Sequence, residues 1–254
     1  MSISLANIKS GASNLPPRIV GYGVHGIGKT SFGASAPAPI FIQTEDGLGT
    51  LDCPTFGILR TFDEVLEAVG SLFNEDHQFQ TAVIDSADHL EPLIWAQACK
   101  DNGWKSIEDA GYGKGYVAAL DLWRVLFEGL DMLRTERGMT VIILAHSTIQ
   151  RFDSPEHEPY DRYQPKLHKA ASALLQEWAD CVLFFNYRLA TVKADAGFNK
   201  KVTRAIGQGD RQIHTQERPA FLAKQRYGLE DTLPMDWDAF AAGIPFYQME
   251  QSNG

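Results

Sequence analysis

The sequence predicts an α/β fold with a mostly parallel central sheet flanked by helices. Short apolar segments of strand length alternate along the chain with longer segments of helical spacing, which is the arrangement that produces parallel sheets. The first apolar segment leads directly into a glycine-rich loop and then into a segment able to begin a helix. Several of the apolar segments end in a polar residue, so candidate site residues should collect at one edge of the sheet.

The glycine-rich loop is the strongest functional signal. Residues 23–30 read Gly-Val-His-Gly-Ile-Gly-Lys-Thr and fit G-x-x-x-x-G-K-[ST] at every fixed position. Glycines let successive backbone N–H groups point at phosphate oxygens, Lys29 places a cation near the β- and γ-phosphates, and Thr30 offers a hydroxyl ligand to Mg²⁺. Residues 18–22 supply the strand before the loop, and residues 30–35 the helix after it. The predicted nucleotide contacts are Gly23, Val24, His25, Gly26, Ile27, Gly28, Lys29, Thr30 and Ser31.

Composition narrows the functional classes. With 254 residues, of which 44% are hydrophobic, the chain suits one globular domain or one domain with a small appendage. A formal net charge of −9 repels nucleic acid and anionic membranes, so any DNA contact must come from a local patch. The three cysteines are far apart, which favours a reducing cytoplasm and argues against a disulfide framework and a zinc site. We see neither the apolar core of a signal peptide nor a membrane span.

A second chemical signal is an apolar strand at residues 81–85 that ends in Asp85. After a phosphate-binding loop, such a strand is typical of a Walker B element, whose carboxylate holds Mg²⁺, usually through water. Ser86 stands where many ATPases carry a catalytic glutamate, so the base must come from elsewhere. Glu45, at the end of a second strand over residues 39–45, is the best candidate. The alternative is a solvated loop carboxylate.

The other predicted elements complete the α/β pattern. A further strand at 141–146 ends in His146, which either senses the γ-phosphate or has only a structural role. The helices are predicted at residues 62–74, with Thr61 as N-cap, and at residues 87–99, 116–133 and 166–178. A buried strand is predicted at 180–187, short β segments with turns at 196–197 and 207–209, and a short helical piece around 238–241.

Three regions are candidate contacts for single-stranded DNA. Residues 100–115 mix glycines, lysines and aromatics, although Trp104 and Tyr112 could equally pack the loop down. Residues 147–165 are polar and rich in proline, and we expect a mobile loop there. Region 188–226 carries nine Lys/Arg against three acidic residues, the alternative being a solvated β surface.

The assembled stretches resemble the RecA-type ATPase core, and closely the phage-encoded RecA-like ATPases of the single-strand-annealing group. The resemblance spans residues 17–227 and rests on the loop and on residues 41–48, 82–86, 112–116, 142–146 and 161–180. It implies a RecA-like P-loop NTPase core with a C-terminal antiparallel β-hairpin extension. The corresponding domain division is an N-terminal arm at 1–16, the ATPase core at 17–228 and a C-terminal tail at 229–254.

The resemblance also implies roles for particular residues. Glu45 matches the glutamate that activates water, and His146 stands where RecA proteins carry a glutamine that senses the γ-phosphate. Lys224 and Arg226 resemble paired cations that reach the neighbouring subunit's nucleotide, so the protein should form a filament or ring. The patch at residues 3–6 weakly resembles the arm that links protomers. The implied catalytic set is Lys29, Glu45, Asp85, His146, Lys224 and Arg226, with Thr30 and Asp85 on the metal.

The function implied is an ATPase that uses ATP and Mg²⁺, is stimulated by single-stranded DNA, and supports phage DNA recombination by annealing in the host cytoplasm. Two rivals stay open. One is a nucleotide-gated module that binds single-stranded DNA with negligible turnover. The other is a helicase motor of RecA type.

Overall fold

The structure is a computed structural model that describes residues 14–154, 158–195 and 201–252, with side chains described outside 189–208 and 250–252. The predicted arm at residues 3–6 lies outside the described part. The strands are β1 (Arg18–Gly23), β2 (Pro39–Gln43), β3 (Thr55–Ile58), β4 (Thr81–Asp85), β5 (Thr140–Phe152), β6 (Tyr160–Pro165), β7 (Cys181–Asp195), β8 (Lys201–His214) and β9 (Thr232–Pro234). The helices are α1 (Lys29–Ala34), α2 (Phe62–Asn74), α3 (Ala87–Asn102), α4 (Lys114–Glu136), α5 (Lys169–Trp178), α6 (Trp237–Ala241) and α7 (Pro245–Ser252).

One nine-stranded sheet organises the chain, in the order β3-β2-β4-β5-β1-β7-β8-β9, with β6 paired to β5. The strands from β3 to β7 in this order pair in parallel, and β8 and β9 add to the β7 edge in antiparallel fashion. The predicted α/β class is therefore confirmed, including the antiparallel strands on the C-terminal side. β1, which carries the glycine-rich loop, lies in the interior of the sheet.

Helices bury both faces of the sheet, because successive strand residues point to opposite sides. In β1, Val20 belongs to a core shared with α2, α3, α4 and α5, whereas Ile19 belongs to a core shared with α1 and α6. Trp123 of α4 is fully buried in the first core, as its helical spacing predicts. Helix α2 begins at the predicted N-cap: Thr61 Oγ1 accepts from the Glu64 N–H at 3.2 Å, and Glu64 Oε2 accepts from the Thr61 N–H at 3.0 Å.

The segment at 147–165 is not the mobile loop that its composition predicts. β5 continues through Phe152 and pairs in antiparallel register with β6, from Ser147 opposite Pro165 to Phe152 opposite Tyr160. The Arg162 guanidinium also lies 4.0 Å from the centre of the Phe152 ring. The sequence does not predict this hairpin, because both of its faces carry polar residues and the segment lacks apolar alternation. The two arms are joined by backbone pairing, which does not depend on such a pattern.

The C-terminal region also differs from the prediction. The prediction of a turn at 207–209 is wrong, because these residues lie inside β8. Opposite them, the register of β7 with β8 shifts between Tyr187 and Leu189. Gly209, at φ +83°, serves this bulge rather than a reversal. The turn predicted at 196–197 lies outside the described residues. Beyond residue 228, β9 joins the sheet and Phe240 of α6 packs against Phe32 of α1.

A buried carboxylate ties the starts of β1 and β7 to α4. The Asp180 carboxylate accepts hydrogen bonds from Arg18 Nε at 3.2 Å and Arg18 Nη2 at 3.0 Å, and from Arg134 Nη2 at 3.4 Å. Burial raises the pKa of Asp180, but the hydrogen bonds and charge of Arg18, helped by Arg134, outweigh it and leave that pKa below its ordinary value. The ionised carboxylate therefore stabilises the folded chain.

We predict that Asp180→Ala lowers the free energy of unfolding by about 3–5 kcal/mol, because the largely buried guanidinium groups of Arg18 and Arg134 lose the buried carboxylate that they share. Since the folded-state pKa is depressed, the contribution is complete above about pH 4, where the unfolded aspartate titrates, and is lost as pH falls further. Urea unfolding at neutral and acidic pH measures both effects. The control Asp121→Ala breaks an exposed ion pair with Arg124 and should change stability by less than about 1 kcal/mol. Equal losses in the two variants would contradict this account.

Candidate nucleotide-binding site

Parallel register brings the ends of three strands together with the middle of β5 at one edge of the parallel sheet. Gly23 at the end of β1 lies opposite His146 of β5, and Asp85 at the end of β4 lies opposite both Gln43 of β2 and Leu144 of β5. β5 separates β1 from β4, so His146 stands between the glycine-rich loop and Asp85. The edge is the one at which ligands bind in open α/β sheets.

The loop after β1 has the backbone of a phosphate cradle. Gly28 immediately precedes α1 with φ +102°, a conformation that side chains on L-residues rarely adopt. Lys29 is only 6% exposed, and its Nζ donates to the carbonyls of Gly23 at 3.2 Å and Val24 at 3.1 Å. Burial lowers the pKa of Lys29, while Asp85 and other nearby carboxylates oppose that effect. The ammonium group is thus held inside the loop, where phosphate oxygens would meet it.

Thr30 and Asp85 form the oxygen pair expected to hold Mg²⁺. The Thr30 hydroxyl donates to Asp85 Oδ2 at 2.8 Å, and the Asp85 side chain is buried. Burial raises the pKa of Asp85, the Thr30 hydrogen bond opposes the rise, and the charge of Glu45 adds to it. A divalent cation would favour the ionised form, and hydroxyl and carboxylate oxygens are the ligands that Mg²⁺ prefers. The residues present therefore fit the ion.

Glu45 lies at the same edge, beside two histidines. Its Oε2 is 3.2 Å from His89 Nδ1, and its Oε1 is 3.9 Å from His146 Nδ1. The segment that carries Glu45 is tied to the turn after β4, because the Thr44 hydroxyl donates to the Ser86 carbonyl at 2.7 Å and accepts from the Ser86 N–H at 3.0 Å. The glutamate is thus positioned by its neighbours rather than free in a solvated loop.

Asp88, in the first turn of α3, orients His146. Its carboxylate accepts from the His146 backbone N–H at 2.9 Å and lies 3.0 Å from His146 Nδ1. Burial raises the pKa of Asp88, but the hydrogen bonds from the His146 ring and backbone outweigh it and hold that pKa well below its usual range. The other side of the His146 ring stacks on His25 of the glycine-rich loop, with ring centres 4.1 Å apart. His146 therefore links the loop to β5.

These residues surround one cleft of about 460 Å³. The part of its lining that bears on the chemistry is Gly26, Gly28, Lys29, Thr30, Ser31, Glu45, Asp85 and His146, with residues 47–51 closing one side. Lys29 places positive charge at the bottom of the cleft, and carboxylates line one wall. This arrangement suits a phosphate chain with a bound divalent cation.

The sequence did not single out three polar residues at this site. Asp88 and His89 could have been found, because they follow the Walker B strand within the first turn of α3. Arg211 of β8 could not, because its position depends on the long-range pairing of β7 with β8. Its Nη1 donates to the Ile27 carbonyl at 3.2 Å, so it belongs to the wall of the loop rather than to a separate basic surface. A second cleft of about 580 Å³ begins beside Arg211 and is lined also by Arg188 and Met235.

Lys224 and Arg226 lie away from this chain's own cleft. Lys224 pairs with Val182 near the start of β7, at the sheet edge opposite the loop, and its Nζ donates to the Gln176 carbonyl. Arg226 Nη1 donates to Asp180 at 3.1 Å, and its side chain is 52% exposed. Both cations are engaged within the chain, and their role toward a neighbouring subunit stays a prediction.

The candidate DNA contacts differ in how much the structure describes. Tyr112, between the end of α3 and the start of α4, is fully exposed and has φ +48°. In region 188–226, Arg218 pairs with Asp231, and the side chains of Lys193, Lys200, Lys201 and Arg204 lie outside the described part. The hairpin β5–β6 offers Arg151 and Ile149 as exposed side chains. No helix among the described residues combines the length and apolarity needed to span a membrane.

The fold and the site define a P-loop nucleotide-binding protein of the α/β class. Residues 15–227 match the family described as an AAA domain, so the chain belongs to that family. No curated protein matches the sequence. Among solved structures, the chain is similar to one titled "Crystal structure of the RadB recombinase", with 16% identity, a TM-score of 0.46, and coverage of 89% of this chain and 90% of that chain.

We predict that Lys29→Ala abolishes ATP binding, because the loop loses the cation that meets the β- and γ-phosphates. Isothermal titration calorimetry with Mg²⁺-ATP measures it. The matched control is Lys100→Ala, which removes an exposed lysine paired with Asp63 on the surface and should bind ATP like the native chain. ATP affinity retained by Lys29→Ala would refute the assignment of the loop.

Proposed function

We propose that this protein is a RecA-type, Mg²⁺-dependent ATPase that acts on single-stranded DNA. One observation carries the proposal: Lys29, the pair Thr30–Asp85 and Glu45 line a single cleft at the carboxyl edge of a parallel sheet. These residues come from three separated segments, so their convergence is not a property of the loop motif alone. Family membership supports nucleotide binding, and the arrangement of the carboxylates supports hydrolysis.

The residues divide the chemistry among them. The N–H groups of the loop and Lys29 would bind the phosphate chain, and Thr30 and Asp85 would hold Mg²⁺. When bound, Mg²⁺ would supply positive charge that offsets the charge of the phosphate chain. Glu45 accepts a hydrogen bond from the attacking water and orients it toward the γ-phosphorus. Asp88 holds His146 in place beside Glu45. Because His146 belongs to β5, a movement at the γ-phosphate would be transmitted to that strand.

The second and larger cleft is proposed to receive the nucleoside. It borders the loop where Arg211 contacts the Ile27 carbonyl, and Met235 supplies apolar surface nearby. Its volume of about 580 Å³ is in the range of small-molecule sites. A nucleotide whose phosphates occupy the loop would extend its ribose and base in this direction.

The hairpin β5–β6 is the DNA contact that the geometry favours. β5 runs without interruption from His146, beside the nucleotide cleft, to Phe152 in the hairpin. Arg151 is exposed and can contact phosphates, and Ile149 is 58% exposed on the same hairpin. Tyr112 and the basic region 188–226 are proposed as further contacts, through base stacking and charge. ATP occupancy would then alter DNA affinity through His146.

An oligomer with composite sites follows from the same proposal. Lys224 and Arg226 lie at the edge opposite the cleft, so they would meet the cleft of a neighbouring protomer if protomers pack edge to edge in a filament or ring. Arg226 is half-exposed and so accessible to such a neighbour. Each cation would leave its partner within the chain and stabilise charge on the transferring phosphoryl group. The biological role proposed is phage DNA recombination by strand annealing in the host cytoplasm.

We predict that Glu45→Gln binds ATP but hydrolyses it about a hundredfold or more slowly, because the amide cannot accept the proton of the attacking water. Phosphate release with and without single-stranded DNA measures turnover, and calorimetry measures binding. The control Glu67→Gln changes an exposed glutamate of α2. Normal turnover in Glu45→Gln would place the base elsewhere, and negligible turnover in the native chain, even with DNA, would favour the nucleotide-gated module.

Removing one phosphate contact from the hairpin should weaken DNA binding. We predict that Arg151→Ala lowers affinity for single-stranded DNA several-fold and reduces the slope of log affinity against log salt by about 0.7, the value for one lost phosphate contact. Fluorescence anisotropy over a salt series measures both. Arg124→Ala, an exposed arginine of α4, is the control. An unchanged slope would exclude Arg151 from the DNA surface.

Composite sites predict complementation between two inactive proteins. Lys224→Ala mixed with Lys29→Ala should regain part of the ATPase rate, because some interfaces then combine an intact loop with an intact Lys224. Light scattering on the mixture establishes that the two variants assemble together. Co-assembly without any recovered turnover would contradict the role of Lys224 in the neighbouring site.

A further inference from the structure

We infer that Glu45, His89 and His146 form a binding site for a transition-metal ion of the Zn²⁺ class, and that a metal bound there inhibits hydrolysis by capturing Glu45. The site is separate from the oxygen pair Thr30–Asp85. Metal binding at these residues stands independently of the proposed function, whereas the inhibition rests on Glu45 being the base that orients water.

The spacing of the donor atoms suits one small cation. One ligand atom from each of the three residues lies within 4.8 Å of the other two. Glu45 Oε2 is 3.2 Å from His89 Nδ1, and Glu45 Oε1 is 3.9 Å from His146 Nδ1. A tetrahedral zinc ion about 2.1 Å from its nitrogen and oxygen ligands separates them by roughly 3.4 Å. The three side chains therefore need only small rotations to close on the ion.

The donor set selects the kind of metal. Two imidazoles and one carboxylate are typical ligands of zinc and of neighbouring first-row transition metals, whereas Mg²⁺ prefers oxygen alone. Thr30 and Asp85 offer only oxygen, so the two sites discriminate between the two classes of ion. The sequence analysis argues against a zinc site because the cysteines are far apart. That argument does not apply to a site formed by histidine and glutamate.

A buried carboxylate holds the two imidazoles close to Glu45. Asp88 lies 3.0 Å from His146 Nδ1 and 3.6 Å from His89 Nδ1, and its side chain is 2% exposed. This buried carboxylate orients both rings beside Glu45, and a metal that binds Nδ1 of these histidines would take the place of their contacts with Asp88. Lys166 Nζ lies 3.8 Å from the Asp88 carboxylate. The His89 side chain is 45% exposed, which gives an ion a path to the site from solvent.

Coordination changes what Glu45 is able to do. A carboxylate bound to a metal shares its negative charge with the ion and has a fixed orientation, so it becomes a much weaker base toward the attacking water and is no longer free to orient it. Thr30, Asp85 and the loop are left unaltered, so nucleotide affinity should remain. The predicted signature is ATP binding without turnover, reversed when a chelator removes the metal.

The first experiment measures metal binding without nucleotide. Isothermal titration of the full chain with Zn²⁺ should give one site, and Co²⁺ should give the absorption spectrum of a four- or five-coordinate ion with nitrogen and oxygen ligands. We expect His89→Ala and Glu45→Gln to lose at least about tenfold in Zn²⁺ affinity. The control His77→Ala removes an imidazole that hydrogen-bonds the Leu72 carbonyl between α2 and β4, and should leave the affinity unchanged. Circular dichroism verifies that each variant is folded.

The second experiment measures the consequence. With Mg²⁺-ATP in excess, Zn²⁺ at the concentration that fills the site should reduce turnover of the native chain at least tenfold and leave His89→Ala unaffected. Lys29→Ala should bind Zn²⁺ normally, so a failure of nucleotide binding is distinguishable from a failure of the metal site. Equal Zn²⁺ affinity in native chain and His89→Ala would overturn the site. Equal inhibition of the two would overturn the capture of Glu45 and indicate displacement of Mg²⁺.

Discussion

In-register parallel pairing of β1, β5, β4 and β2 is the constraint on which the rest of the structure depends. The pairing aligns the ends of β1, β2 and β4 with the middle of β5, so that residues far apart in sequence meet without any additional structural element. Shifting one strand by a single residue would turn Asp85 or His146 to the other face and separate Thr30 from its carboxylate. The buried apolar residues of these strands, on both faces, specify the register and therefore the site.

β5 gives the site a mechanical connection to a distant surface. His146 is held from three directions, by Asp88, by the ring of His25 and by the strand itself. The same strand leaves the sheet and becomes one arm of the hairpin that ends near Phe152. A rearrangement at the phosphates would therefore be carried along a continuous hydrogen-bonded strand. In the function proposed above, this strand is the physical route by which nucleotide occupancy would alter affinity for DNA.

Local patterns predicted most of the fold, and long-range pairing accounts for what they missed. The α/β class, the N-cap at Thr61 and the burial of Trp123 follow from spacing and from residue type, and the structure confirms them. The sequence predicts a loop at 147–165 and a turn at 207–209, where the structure has a hairpin and a bulge, because neither segment has apolar alternation. At the site, sequence motifs predicted Lys29, Thr30 and Asp85. Glu45 and His146 were predicted as site residues, but their contacts with His89 and Asp88 depend on where α3 lies beside β5. Arg211 could not be predicted, since its position depends on the pairing of β7 with β8.

The central claim is that residues 23–30, with Thr30 and Asp85, bind the phosphates and the metal of a nucleotide. An experimental structure of the full chain with Mg²⁺ and a non-hydrolysable ATP analogue tests it most directly. We expect the triphosphate in the loop, Lys29 Nζ moved from the Gly23 and Val24 carbonyls to the phosphate oxygens, and Mg²⁺ about 2.1 Å from the Thr30 hydroxyl. A nucleotide bound elsewhere, with Lys29 still on its carbonyls, would contradict the claim.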